Sequence, residues 1–172
     1  ILTAGSVLLA SLIPFMRCLT LPYLATPVHK VRIALQSHPT RGTLVDLGSG
    51  DGSVVREAAR LGYKSIGIEI NSTLYLYSQV NRLFWQGSAQ FVRSDLFQYP
   101  LHDANVVFLF GVRPYMPRLS QKIAQECRPG TFVLSYRFGL PTGGKDQAKA
   151  ELIYDEEEMR IYEVLGDADS SR

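Results

Sequence analysis

Leu44-Val45-Asp46-Leu47-Gly48-Ser49-Gly50-Asp51-Gly52 joins a short apolar run to an amphipathic stretch. Thr43 to Leu47 reads as a buried strand; Asp51 to Leu61, with Val54, Val55, Ala58 and Ala59 at helical spacing, reads as a helix ending before Gly62. Between them Gly48 and Gly50 can adopt backbone angles closed to other residues and let a ligand approach the main chain, while the helix behind offers unpaired amides. A nucleotide-like ligand suits such a turn. The spacing is G-x-G-x-G; a dinucleotide fingerprint, G-x-G-x-x-G, would need its third glycine where Ser53 stands. No G-x-x-x-x-G-K-[ST] occurs, which excludes a P-loop.

Working outward, short apolar runs alternate with amphipathic stretches. Lys64 to Ile70 predicts a second strand, Ser72 to Phe84 a helix, Gln90 to Arg93 a third strand and Asn105 to Phe110 a fourth. Pro114 to Cys127 predicts a helix stopped by Pro129-Gly130, and Thr131 to Tyr136 a fifth strand. Glu151 to Asp155 and Met159 to Val164 predict a closing pair, with Asp155-Glu156-Glu157-Glu158 at its polar turn. Upstream, Thr26 as cap and Pro27 in the first turn predict a helix through Val28, Val31, Ala34 and Leu35 that ends near His38-Pro39. Five strands separated by helices and followed by two in succession imply an α/β fold: a mostly parallel seven-stranded sheet with a terminal antiparallel hairpin and helices on both faces. The expected divisions are a hydrophobic N-terminal segment 1–22, one domain 23–165 and a tail 166–172.

The 172 residues suffice for one domain, and 46% hydrophobic content is ample for a core. A formal net charge of +2 is too balanced for a dedicated nucleic-acid binder, so no nucleic-acid partner is expected. Cys18 and Cys127 are too few for a disulfide framework and read as packed thiols; the three histidines have no metal-ligand spacing, so no metal is assigned. From Ile1 to Met16 there is no charged side chain. Opening on Ile rather than Met is expected of a fragment or a processed chain. The run gives about 24 Å of helix, short of a hydrocarbon core of roughly 30 Å, and Pro14 interrupts it. It reads either as a membrane anchor or as a helix packed on the domain or a partner; a secretory signal fits poorly, since no basic region precedes it.

Acidic residues give the glycine loop its chemistry. Asp46 and Asp51 repel a pyrophosphate and suit a cationic or zwitterionic ligand. Glu69, at the end of the second strand and seventeen residues after Gly52, stands where an open α/β sheet presents a carboxylate to ribose hydroxyls. Asp95, after the third strand, is placed to meet an exocyclic amine. Each acid alone reads more simply as a cap or surface carboxylate; their placement at three successive strand ends points to one crevice.

These residues resemble the Rossmann-like, class I S-adenosylmethionine-dependent methyltransferases over nearly all of Tyr23 to Val164. More narrowly, Leu21-Pro22-Tyr23-Leu24-Ala25-Thr26-Pro27, Gly67-Ile68-Glu69-Ile70-Asn71, Ser94-Asp95-Leu96 and Asn105-Val106-Val107-Phe108 are similar to the mitochondrial protein-lysine methyltransferases of the ATP synthase c-subunit and adenine nucleotide translocator. The resemblance implies S-adenosylmethionine as cofactor, held by Asp46, Gly48, Ser49, Gly50, Glu69, Ile70, Asp95 and Leu96; Tyr23 and Thr26 read either as lining the mouth of that pocket from the N-terminal side or as a packing aromatic and a helix cap. It implies a membrane-embedded protein substrate, attachment through the N-terminal segment, and a location at the mitochondrial inner membrane with the domain in the matrix.

The chain departs from the family's Arg after the glycine loop (here Ser53), from its Pro-Trp after the second strand (here Ser72-Thr73), and from its later tryptophan, absent from Phe138-Gly139-Leu140-Pro141. Methyl transfer to an amine needs alignment more than side-chain chemistry, so no catalytic residue is assigned. The absence of an Asn-Pro-Pro-Tyr-type motif after the fourth strand disfavours adenine or glutamine as acceptor. The expectation is a protein-lysine methyltransferase; the alternative is a catalytically silent, methyltransferase-like subunit of a larger mitochondrial membrane or ribosomal assembly, and a third reading is a nicotinamide-dependent oxidoreductase. Arg113 lies on the face where an acceptor enters, or is a solvated surface arginine.

Overall fold

After Thr43, strand β1 (Thr43–Leu47) is apolar on both faces except at Asp46 and is buried throughout, the pattern of a strand covered from both sides. In the computed structural model, which describes residues 26–37, 41–84 and 87–166, it lies at the centre of the sheet. On one side it pairs in parallel with β2 (Lys64–Glu69), Thr43 opposite Lys64; on the other with β4 (Val106–Phe110), Leu44 opposite Val106. Beyond these lie β3 (Ala89–Arg93), parallel to β2, and β5 (Phe132–Tyr136), parallel to β4. Strands β6 (Ala150–Glu156) and β7 (Met159–Val164) form the antiparallel hairpin, with β7 inserted against β5. The resulting order, β3-β2-β1-β4-β5-β7-β6, reverses direction between β1 and β4. In open α/β sheets the carboxyl ends of the strands at that reversal form the ligand crevice.

Alternation along the strands divides the core. Val45, Leu47, Val107, Leu109 and Val133 face helix α4 (Met116–Glu126) through Met116, Leu119 and Ile123. Leu44, Val106, Phe108 and Leu134 face α1 (Val28–Gln36) and α2 (Ser53–Arg60) through Val31, Ala34, Leu35, Val54 and Ala58. An ion pair joins the two helices of that layer: Arg32 Nε donates to the buried Glu57 carboxylate at 2.5 Å. Helix α3 (Ser72–Arg82) packs along β2 and β3.

The expected fold class is present, with local corrections. Thr26 does not cap α1: Pro27 is the half-helical residue, and Thr26 is buried with no capping hydrogen bond. Helix α2 starts at Ser53, not Asp51, because Gly50 and Gly52 are both left-handed and hold the chain in a turn to that point. A 3-10 turn over Arg113–Tyr115 precedes α4, since Pro114 and Pro117 lack the donors that a continuous first turn would use. Not every pair of strands is separated by a helix: residues 94–105 cross from β3 to β4 as a looped segment. The turn of the last hairpin is Glu157-Glu158, both left-handed, inside the acidic run. Segment 1–22, Cys18 and Tyr23 lie outside the described residues, as does the tail after Gly166. Among the described residues no helix is long and apolar enough to cross a membrane.

Candidate functional site

The loop after β1 is built by hydrogen bonds to the end of β2. The amides of Gly48 and Ser49 both donate to the Ile68 carbonyl at 2.9 Å, folding the chain over β2, and Gly52 N–H closes a turn on the Ser49 carbonyl at 2.8 Å. Two of its glycines are needed for distinct reasons. Gly52 has φ of +76°, and a Cβ there would meet the Phe91 ring at 2.5 Å. Gly48, at φ +91°, has nothing within 4 Å of where a Cβ would sit, so its backbone faces open space. Gly67 on β2 leaves room for Ser49, whose side chain a Cβ there would strike at 2.7 Å.

Glu69 straps this loop to the next helix. Its Oε2 accepts the Gly50 amide at 2.9 Å and its Oε1 the Asn71 amide at 2.8 Å, which leaves lone pairs on both oxygens. Asn71 caps α3 by accepting from the amides of Thr73 and Leu74, and Ser78 Oγ on that helix donates to the Gly50 carbonyl at 3.2 Å. Ser94 N–H donates to the Glu69 carbonyl at 3.2 Å, which draws the end of β3 to the same place. Next to it, Asp95 Oδ1 accepts the Phe97 amide, leaving the second oxygen clear of its own turn.

Asp46 and Asp51 have different environments. Asp51 accepts the Ser53 amide at 2.9 Å, and Arg56 donates to its carbonyl at 2.6 Å with a second nitrogen 3.9 Å from its carboxylate, so Asp51 stabilises the start of α2. Asp46 is 2% exposed and receives no hydrogen bond among the described residues. Burial pushes its carboxyl well above the ordinary aspartate range, and the charges of Glu69 and Asp51 push in the same direction. Ser49 Oγ is also buried without a partner. A loop with a donor-less buried carboxyl, an unpaired hydroxyl and an open backbone fits a ligand that brings a positive charge and hydrogen-bonding groups.

The sequence-predicted residues Asp46, Gly48, Ser49, Gly50 and Glu69 meet in this loop; Asp95 and Leu96 reach it through the Ser94–Glu69 bond, Leu96 being half-buried against the core. Ile70 stands at the rim, 67% exposed. No hydrogen bond among the described residues links Thr26 to the loop. Sequence reasoning missed Asn71, Ser78 and Arg56 as supports. Asn71 had a signal, an Asn directly before a helical run; Ser78 had none, because its partner carbonyl is 28 residues away and is brought near only by folding, and Arg56 reaches the Asp51 carbonyl five residues back only because the left-handed turn presents it. On the other side of the reversal, Phe138 packs on Gly111 after β4, and the Arg113 guanidinium lies 5.2 Å from the Phe138 ring centre.

A buried carboxyl two residues before the glycine turn disfavours a pyrophosphate, and the strand order is that of the methyltransferase-like α/β fold. A solved relative supports this: the RNA methyltransferase of Salinibacter ruber in complex with S-adenosyl-L-homocysteine is 29% identical, covers 84% of this chain and 95% of its own, and superposes with a TM-score of 0.70. The chain belongs to the family described as the ANTKMT methyltransferase domain, which matches residues 46–147. It is 34% identical over 154 residues to the mouse (Mus musculus) lysine N-methyltransferase of the ATP synthase c-subunit, with 88% of this chain and 62% of that protein covered. It is also 34% identical over 130 residues to the mouse adenine nucleotide translocase lysine N-methyltransferase, with 72% and 56% covered. The chain thus spans about three fifths of the length of these relatives.

Proposed function

We propose that this chain transfers a methyl group from S-adenosylmethionine to a lysine of a mitochondrial membrane protein. The observation that carries the donor half is Asp46: a buried carboxyl with no donor, beside a second acid and an open glycine backbone, is matched by a cationic nucleoside. When bound, S-adenosylmethionine supplies a methyl group on a positively charged sulfur, which a neutral amine can displace. Asp46 and the Ser49 hydroxyl receive the polar and charged end. The remaining lone pairs of Glu69 accept the ribose hydroxyls, with its orientation held by Gly50 and Asn71. Ile70 offers apolar surface to the base, and the clear oxygen of Asp95 its acceptor.

The acceptor half rests on family membership and on the rim across the reversal. A lysine must arrive neutral to react. On that rim the exposed Arg113 guanidinium lies over the Phe138 ring, beside Gly111 at the end of β4. The membrane location follows the uncharged run at residues 1–16 and the substrates of the relatives.

The test pairs calorimetric titration with S-adenosylmethionine and NAD against transfer of labelled methyl to ATP synthase c-subunit and adenine nucleotide translocase, each with and without its lysines replaced by arginine. Donor binding with lysine-dependent labelling is expected. Donor binding without labelling of either protein would instead favour the silent structural role.

A further inference from the structure

The edge of the sheet formed by α3 and β3 carries an exposed apolar stripe that the methyl-transfer reading does not use. Leu76, Tyr77, Val80, Leu83 and Phe84 are 62%, 53%, 48%, 81% and 82% exposed. Arg82 ends α3, but Leu83 keeps helical angles and the Phe84 amide still bonds to the Asn81 carbonyl, so the stripe continues one turn beyond. At about 100° per residue the five side chains fall within an arc of roughly 120°, while Ser78 on the opposite face is fully buried. An apolar helix face at the surface needs a reason.

Charge indicates what it meets. Residues 70–94 contain two arginines, Arg82 and Arg93, and no carboxylate. Residues 150–164, forming the hairpin at the other edge of the sheet, contain six carboxylates and one arginine. A second exposed apolar pair, Leu152 and Ile153 on β6, lies among those carboxylates. The molecule is therefore polarised along the strand order, with an aromatic-aliphatic, carboxylate-free edge facing away from an acidic one. That combination matches the interface of an anionic bilayer: apolar side chains enter the acyl boundary, tyrosine sits at headgroup depth, and the acidic edge is repelled outward.

We infer that the α3 edge is a membrane-contacting surface for an anionic lipid bilayer, separate from the uncharged segment 1–16 and independent of which acceptor is methylated. Ile70, 67% exposed, precedes α3 by two residues, so the rim of the site adjoins this edge in sequence.

The chain supplies its own probe, because its single tryptophan, Trp85, follows Phe84 in sequence. The full 172-residue chain is titrated with phosphatidylcholine vesicles with and without phosphatidylglycerol, reading Trp85 emission and its quenching by brominated acyl chains. The expected result is a blue shift and quenching with the anionic vesicles, reduced by salt. Val80→Asp together with Leu83→Asp, two exposed positions outside the donor site, abolishes that response and weakens binding about tenfold or more, with circular dichroism and donor binding unchanged. Should the variant lose its circular dichroism, the bromolipid quenching of the unaltered chain decides. Three outcomes overturn the inference: emission indifferent to vesicles, a response that survives the double substitution, and a blue shift without lipid that grows with protein concentration, which assigns the stripe to a second copy.

Discussion

Asp46 is kept in a setting that penalises its own charge, and this has a measurable cost for the ligand-free protein. Because its folded pKa is raised, the carboxyl is neutral in both states at pH below the ordinary aspartate value. As pH rises, the unfolded chain ionises first, so stability contributed by this residue falls until pH passes the raised folded value. Asp46→Asn removes that loss. The ligand-free variant is expected to melt at a higher temperature at neutral pH, with the gain vanishing in acid, while its affinity for S-adenosylmethionine falls about tenfold to a hundredfold. Melting curves at several pH values and calorimetry check both parts. The placement of Asp46, Glu69 and Asp95 around one crevice was legible in the sequence because strand ends are readable from apolar runs, and three acids at successive strand ends converge where one acid alone would read as a cap. Asp51 was not, since whether an acid beside a glycine turn serves a ligand or the next helix depends on which residue starts that helix, and here two left-handed glycines move the start to Ser53.

Between β1 and α2 the loop depends on shape as much as on charge. Gly52 combines a left-handed backbone with contact against Phe91 of β3, so a methyl group there meets both a backbone penalty and a ring that is itself buried. Gly52→Ala is expected to destabilise the domain by about 3 kcal/mol and to lower donor affinity by shifting Gly50 off Glu69. Denaturant unfolding and donor titration of the same sample check this. At this scale the periodic elements were readable, and their ends were less so. The two prolines before and within α4 and the buried but uncapping Thr26 show why: end positions are set by which backbone groups find partners, and those partners are distant in sequence.

Across the whole molecule, α4 supports the loop that carries Asp95. Lys122 is 5% exposed, donates to both Glu126 oxygens at 2.7 and 2.8 Å and reaches the Phe97 carbonyl at 3.3 Å, while Glu126 accepts the Leu101 amide at 3.0 Å. Lys122→Met breaks this connection and leaves Glu126 without its cation. Stability is expected to fall by about 2 kcal/mol, less than for a wholly buried pair because Glu126 remains partly solvated, and donor affinity falls with it as Asp95 loosens. Thermal melting with and without S-adenosylmethionine separates the two effects. The sheet's mixed direction was legible from two strands in succession at the end of the chain. The bridge through Lys122 was not, because a lysine on an amphipathic helix ordinarily reads as solvated.

The reversal of strand order beside β1 also governs how the domain can assemble. β1 meets β2 after a separation of 21 residues, Thr43 to Lys64, but meets β4 only after 62, Leu44 to Val106. The first pairing closes a short loop and the second a long one, whose entropy must be lost before its contacts are gained. The proposed donor wall, Asp46 through Asp95 on β1, β2 and the end of β3, therefore belongs to a locally connected unit, whereas the proposed acceptor rim at Gly111 and Arg113 joins it only when the distant strand docks. On the ribosome, the half of the crevice proposed to hold the donor, which ends with Asp95 and Leu96, is complete in sequence about fifteen residues before Gly111 opens the other half.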